Sequence, residues 1–485
     1  MRQFLSHLSL LMVLNLLVKP AYLLVIDARI QDVLGPDIFG SYFPLLSLGI
    51  LLNILLDVGL SNHMTRLISA NNEAVTGAYR AGSRAKLALF PLYFMSLMLV
   101  GWGLGYRGES MQWLAWIGIN QALLSAILYV RAGLQGLGAH KTDAWVSISD
   151  RSMLLLGLGI VLAIQPGFEI AWLLLGTTAA LSIALALACW RLMMHMKDAQ
   201  TANHEESATS IWEQLAQGWP YALLFLLMMT YHRVDAIMLE RMHPDGARQA
   251  GWYAMGYRLF EASNMIGFLF ATLLLPYFSR MLALKEDIRP LAIGASRLLM
   301  VGGGAIAWTA WFWPGTLLSI FYSHEIAAAA SILPWLMLSF AIFAQGYVFS
   351  TLLTARGDMK QLNLLAAVGA IGNIGLNLWW IPKYGALGCA MASAITQGLV
   401  VGMQCFVSLK KFPSRTWWLL GKSFALHTLA AGAICWSLSR FAPDDVWVVL
   451  VSLIACLGVG FLPGIMDYST LRQLLSSKMN TFADS

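Results

Sequence analysis

Charged side chains are scarce in this sequence: Asp, Glu, Lys and Arg make up 12% of it, about half the share usual in soluble domains. That scarcity excludes an ordinary soluble fold. Cysteine is nearly absent, with five in 485 residues. Cys189, Cys389, Cys405, Cys435 and Cys456 lie scattered in apolar runs without a CxxC spacing, so neither a disulfide framework nor a zinc site is expected. The nine histidines include no HExxH or other paired-ligand spacing. No metal and no cofactor are expected. Long polar stretches are lacking too, which leaves little chain for a soluble domain.

What is present is apolar residue upon apolar residue. Hydrophobic side chains make up 58% of the chain and the mean hydropathy is +0.67. A bilayer core needs roughly 20 apolar residues per helix, and runs of that size recur from end to end. The sequence predicts an all-α, polytopic membrane protein of about fourteen transmembrane helices. The first six lie near 8–26, 39–60, 87–105, 111–130, 145–164 and 170–190. Six more lie near 219–238, 251–278, 291–312, 330–353, 362–381 and 385–407, and a last pair near 418–438 and 446–466.

Basic residues are retained on the cytoplasmic side of a membrane. With the N-terminus inside, about 20 Lys and Arg fall in cytoplasmic segments and about 6 in outer ones. Both termini are then cytoplasmic. The net charge of +6 reflects this topology, and no nucleic-acid partner is expected. Arg2 followed by an apolar run resembles an N-terminal signal, but Lys19-Pro20 interrupts the run and no small-residue cleavage site stands out, so it reads as the first helix. Trp145, Trp190, Trp219, Trp417 and Trp418 sit near span ends, as interfacial anchors do.

Two markers occur twice, in the same order. Gly40-Ser41-Tyr42 opens one apolar run and Gly251-Trp252-Tyr253 another. Leu134-Gln135-Gly136-Leu137-Gly138-Ala139-His140-Lys141 shares its Leu, Gly and Lys spacing with Leu353-Thr354-Ala355-Arg356-Gly357-Asp358-Met359-Lys360. Ile26-Asp27-Ala28 matches Val234-Asp235-Ala236 more weakly. Six is an even number of crossings, so two six-helix lobes repeat in the same orientation, related by an axis along the membrane normal. Paired halves of this kind usually flank a substrate path near the bilayer midplane. The polar stretch 191–218 is the expected linker. The expected divisions are 1–206, the N-terminal lobe and the start of the linker; 207–410, the C-terminal lobe; and 411–485, two additional helices and a cytoplasmic tail.

An Arg or Asp at a helix centre costs about 2.5 to 3.5 kcal/mol on insertion scales, so it faces a partner or a wet cavity. Lys19, Arg151, Arg233, Arg258 and Arg297 fall inside predicted spans. On the eighth helix Arg258 and Glu261 are three apart and share a face, with Asn264 one step further along it. Either this is an ion pair that neutralises itself, or the stripe lines a cavity; the latter is preferred. On the seventh helix Arg233 and Asp235 are two apart and cannot both face one cavity squarely, and His232 reads as interfacial. Towards the cytoplasm lie Asp57, Arg66, Asp150, Arg151 and Arg297. The arginines there are either topological anchors or substrate contacts. Asp57 needs either a proton or a nearby cation, for which Arg66 and Arg151 are the candidates. Arginine-rich buried charge suits a phosphorylated substrate, because guanidinium stays charged in a low dielectric and donates bidentately.

Leu34-Gly35-Pro36-Asp37-Ile38-Phe39-Gly40-Ser41-Tyr42, then Asp57-Val58-Gly59-Leu60 and Arg66, resembles the start of the polysaccharide transporter family that includes bacterial O-antigen flippases. So does Val234-Asp235 followed by Gly251 to Leu259 and by Pro276-Tyr277-Phe278-Ser279-Arg280. A third block, Asn373 to Ala390, is similar to that family's Asn-rich helix, Ile-Pro turn and small-residue helix. The resemblance covers most of the chain. It implies a fourteen-helix transporter of the multidrug, oligosaccharidyl-lipid and polysaccharide superfamily, moving a polyprenyl-diphosphate-linked oligosaccharide from the inner to the outer leaflet. Arg258 and Glu261 resemble an eighth-helix Arg and acid of related peptidoglycan-precursor flippases, whose arginine-rich first helix is matched here only by Lys19.

The expected function is therefore a flippase of the bacterial cytoplasmic membrane working by alternating access. Arg258, Glu261, Asn264, Arg233, Arg151, Arg66 and Arg297 are the expected substrate contacts. Asp57, Asp235 and Asp150 are expected to couple or gate. Its partners would be the lipid-linked oligosaccharide, membrane lipid, the polysaccharide polymerase machinery and a coupling ion or proton. A cation-coupled multidrug exporter of the same superfamily is the alternative, with Asp57, Asp235 and Glu261 binding the cation. A membrane polymerase or glycosyltransferase fits poorly, because no outer loop concentrates His, Asp and Glu. The repeat is not equivalent in chemistry: Arg258 and Glu261 follow the second marker, whereas only Leu45 to Ile50 follow the first.

Overall fold

Apolar runs that must satisfy every backbone group without water fold as helices, and every element among the described residues is helical. The computed structural model describes residues 14–70, 75–165, 167–198, 211–410, 412–441 and 445–466. We number the helices α1 (Leu14–Leu56), α2 (Leu60–Ala70), α3 (Val75–Gly103), α4 (Glu109–Gly136), α5 (His140–Ile164), α6 (Ile170–Asp198) and α7 (Ile211–Met242). There follow α8 (Gly246–Ala283), α9 (Arg289–Phe312), α10 (Pro314–Ser319), α11 (Ile326–Ala330), α12 (Leu333–Ala355), α13 (Met359–Leu409), α14 (Ser414–Phe441) and α15 (Val446–Val459).

Eleven of the described segments are long and apolar enough to cross a membrane. Two of them are doubled. Gly35 at φ +77° breaks α1 and Gly385 at φ +54° breaks α13, conformations open to glycine without a Cβ penalty. Pro36 follows the first break and Pro382 precedes the second, and each removes a helical donor. Counting α1 and α13 twice and adding the shorter apolar helix α15 brings the eleven to fourteen, the number expected.

Boundaries differ where hydropathy is silent. The second half of α1 opens at Pro36 rather than near Phe39, and α3 begins at Val75, a dozen residues before its apolar run. Amphipathic α2 and the short α10 and α11 are too short to cross a membrane alone and escaped the sequence reading. The start of the first predicted span (8–13) and the centre of the linker (199–210) lie outside the described residues.

The chain condenses into two units, Met1–Gly251 and Trp252–Ser485. In the first, α7 packs along α1, and α4 is the hub against which α1, α2, α3, α5 and α6 lie. Ile127, Val130 and Leu134 of α4 meet Val146 of α5 and Leu181, Ala184 and Ala188 of α6. In the second, α12 packs against α9 and α13, and α14 and α15 form a hairpin on α9 around Ala305, Trp313, Ala431, Cys435, Val449 and Cys456. Outward side chains are apolar, as lipid requires: Leu87 is 73% exposed and Ile371 73%.

Both repeated markers have a backbone function. Helix α4 ends with Gly138 at φ +72° and α12 with Gly357 at φ +78°. Ala139 N–H donates to Leu134 C=O at 2.9 Å and Gly138 N–H to Gln135 C=O at 3.0 Å; Asp358 N–H donates to Leu353 C=O at 3.0 Å and Gly357 N–H to Thr354 C=O at 3.0 Å. These are two copies of one left-handed helix stop. The other marker is a crossing. A Cβ on Gly40 would strike the Ala247 carbonyl and lie 2.6 Å from the Gly251 nitrogen, and one on Gly251 would strike Pro36. The two marker glycines therefore meet, backbone on backbone, and Gln31 Nε2 donates to the Gly251 carbonyl at 3.0 Å beside them.

Candidate substrate site

In the second unit, two helical turns along α8 from its marker, Arg258 Nη1 donates to Glu261 Oε2 at 2.6 Å. The Arg258 side chain is 4% exposed and that of Glu261 17%. Asn264, the next step of the stripe, accepts from the Tyr347 hydroxyl of α12 at 2.9 Å. A Cβ on Gly267 would strike that same tyrosine ring, so the glycine lets α8 and α12 close on each other. The expected stripe is formed, and its first member is an ion pair. Arg297 of α9 is buried, and its neighbour Ser296 donates to Gln345 of α12 at 2.6 Å.

The first unit carries a larger buried set. Arg131 of α4 grips Asp143 of α5 through Nε at 2.6 Å and Nη2 at 3.3 Å, and Gln135 Nε2 adds 2.9 Å to the same carboxylate. Asp150 and Arg151, one turn or more along α5, approach at 3.5 Å, and the Arg151 guanidinium lies 5.1 Å from the Tyr22 ring of α1. Lys19 of α1 is within electrostatic reach of Arg131, Asp143, Asp150 and Arg151. Three cations thus share a neighbourhood with two acids. Arg131 and Asp143 were missed by the sequence reading, which placed them in the connection between spans.

Asp57 has its cation, and it is Lys86. Asp57 Oδ1 accepts from Lys86 Nζ of α3 at 2.8 Å and from Ser61 Oγ at 2.5 Å. The Arg66 side chain lies outside the described residues, and Arg151 approaches Asp150. Lys86 went unnoticed because it sits just before an apolar run, where basic residues commonly anchor. The pair stands at a break in the chain: Val58 takes φ +42° and Gly59 +87°. A β-branched residue in the left-handed region is uncommon and costly, and such conformations cluster at functional sites.

On α7, Asp235 is 1% exposed while Arg233 is half-buried, and His232 packs on the Tyr231 ring at 4.7 Å. Asp27, its counterpart in the weak repeat, is also buried, at 6%; the repeated Ile/Val-Asp-Ala pattern was the signal that could have found it. At the end of α7, Glu240 accepts from the Tyr106 hydroxyl at 2.9 Å and from Arg241 at 2.7 Å, and Arg241 lies 3.7 Å from the Tyr106 ring. Burial, then the Glu240 charge, pushes the Tyr106 phenol well above its usual range, so it stays protonated and donates to Glu240.

The fold is that of known transporters. A structure of the lipid II flippase MurJ in an inward closed conformation is similar over 99% of this chain and 100% of its own, with a TM-score of 0.68 at 14% identity. An inward-facing multidrug resistance MATE transporter of the MOP superfamily matches 84% of this chain and 99% of its own (TM-score 0.57, 14% identity). The Vibrio cholerae MATE transporter VcmN matches 85% and 99% (TM-score 0.60, 15% identity). No curated protein sequence matches. The family defined as polysaccharide biosynthesis protein matches residues 5–282, more than half of the chain. This multi-pass membrane protein, with its MOP-type fold, belongs to the polysaccharide biosynthesis protein family.

Proposed function

We propose that the chain is a flippase that moves a polyprenyl-diphosphate-linked oligosaccharide across the bacterial cytoplasmic membrane by alternating access, with both termini in the cytoplasm. The observation that carries this reading is the buried Arg258, its side chain 4% exposed and paired with Glu261, three residues on, at 2.6 Å. A guanidinium is kept at such depth where planar, bidentate recognition of phosphate matters. Glu261 compensates its charge in the absence of substrate, and the diphosphate competes for the same donors when it arrives. Asn264 and Tyr347 extend the polar stripe for sugar hydroxyls. Arg297, buried in the same unit, adds positive charge for the diphosphate, while the prenyl chain remains in lipid.

In this reading residues 1–206 and 207–410 are the repeated lobes and 411–485 an addition. Asp57, Asp150 and Asp235 couple the movement to an ion or proton, and the delivered oligosaccharide passes to polysaccharide polymerase machinery. Cells lacking the protein then accumulate a lipid-linked oligosaccharide on the inner leaflet, which lipid extraction and mass spectrometry detect. Drug hypersensitivity without such accumulation would instead support the cation-coupled exporter. Turnover of a lipid-linked sugar by purified protein would make it an enzyme.

A further inference from the structure

Helices α9 and α14 touch closely along their length, where Gly304 lies against the His427 ring and Gly432 against Trp308. At the face where both begin they part, and a cavity of about 280 Å³ opens between their first turns. Pro290 and Pro413 stand at the two helix starts, Arg289 and Arg415 form the rim, and Ile293 and Leu419 form the floor. Each floor residue lies four positions beyond its arginine, or about 6 Å deeper at 1.5 Å per residue. Trp418, 62% exposed and with Lys422 Nζ 5.1 Å from its ring, marks this level as the membrane interface. Arg280, Lys285, Arg356 and Lys360 lie at the same face of this unit, the one that the charge bias assigns to the cytoplasm.

The rim is charged in a definite way. Asp287 occupies Nε of Arg289 at 2.7 Å and Nη2 at 2.6 Å, leaving the Nη1 edge. Arg415 has no partner among the described residues. Two arginines against one carboxylate leave a single positive charge above an apolar floor. A phosphodiester carries one negative charge, and a guanidinium binds it through two parallel donors. The cytoplasmic leaflet is rich in anionic phospholipid, and basic pockets between helices on that side hold such headgroups.

We propose that this cavity binds the phosphodiester headgroup of an anionic phospholipid, with an acyl chain running over Ile293 and Leu419. The site is separate from the proposed substrate stripe. A soluble phosphate offers the same anionic chemistry without the chain, and the test separates the two. Full-length protein is placed in phosphatidylcholine nanodiscs, phosphatidylglycerol is titrated in, and bound lipid is read by native mass spectrometry. A charge near the membrane surface contributes about fivefold in affinity. Arg415→Ala should therefore weaken phosphatidylglycerol retention about fivefold and Arg289→Ala/Arg415→Ala about 25-fold. Lys383→Ala and Arg440→Ala, at the opposite face, should leave it within about twofold of the wild type. Equal retention by the wild type and the Arg415→Ala protein would overturn the assignment. Displacement of the lipid by millimolar inorganic phosphate would overturn it too, because the acyl chain would then contribute nothing. Resistance to phosphate, with loss on removing the arginine, supports a lipid site.

Discussion

Removing the two partners of the Arg258–Glu261 pair separately and together distinguishes a recognition site from self-neutralising scaffold. The 2.6 Å contact between side chains 4% and 17% exposed is a charge-assisted hydrogen bond with little water near its cationic end. Breaking such a buried pair from one side leaves a lone charge and costs roughly 3–5 kcal/mol, whereas replacing both members with apolar groups is often neutral or stabilising. Glu261→Gln and Arg258→Ala should each lower thermal stability. Arg258→Met/Glu261→Leu should restore it. Transport should follow a different order. One hydrogen bond from a guanidinium to a phosphate contributes about 2 kcal/mol, so Arg258→Ala should slow the appearance of lipid-linked oligosaccharide in the outer leaflet about 30-fold. The double variant should remain slow although stable. Glu261→Gln should bind the precursor more tightly than wild type, because the diphosphate no longer displaces a carboxylate. The assay is translocation in spheroplasts at matched protein level, alongside thermal unfolding of purified protein. Recovery of transport in the stable double variant would refute a recognition role.

Three further outcomes follow from the geometry. Asp57→Asn and Lys86→Met should each destabilise the purified protein, Asp57→Asn by more because it strands Lys86, the more buried partner (side chain 11% exposed against 30%); combining them should cost less than the sum, measurable as a coupling in thermal denaturation. Gly40→Ala and Gly251→Ala should each cost about 1–3 kcal/mol by overpacking a backbone crossing, while Gly372→Ala, whose Cβ would meet open space, should be tolerated. Gly138→Ala and Gly357→Ala should destabilise by similar amounts, about 1 kcal/mol or more, since both glycines hold the left-handed position of the same helix stop; unequal effects would show that the two turns are not equivalent in the folded protein.

Hydropathy made the membrane fold legible because the bilayer imposes one length and one composition on every span. It could not reveal α2, whose 60–70 segment is amphipathic and docks through Leu60, Met64 and Ile68 onto Tyr129 rather than crossing lipid. Spacing alone placed Arg258, Glu261 and Asn264 on one face, because three-residue steps are a property of the helix itself. It could not pair Asp57 with Lys86, 29 residues away on another helix, nor Arg131 with Asp143 across a turn. Those partnerships depend on how helices lie against each other, which charge counting does not encode. The glycine markers were visible as a repetition, but their meaning was not. One proved to be a close crossing of two segments of the chain and the other a way of ending a helix.

The twin stops after α4 and α12 also bear on how such a chain can diverge. Each turn is specified almost wholly by main-chain donors and acceptors, with one position that must lack a side chain. A duplicated segment can therefore retain its re-entry points into the bilayer while its helices exchange nearly every side chain. Punctuation persists and vocabulary drifts. That separation lets each half of a repeated protein bury its own arginines and acids at different helical positions, without disturbing the path of the chain through either half.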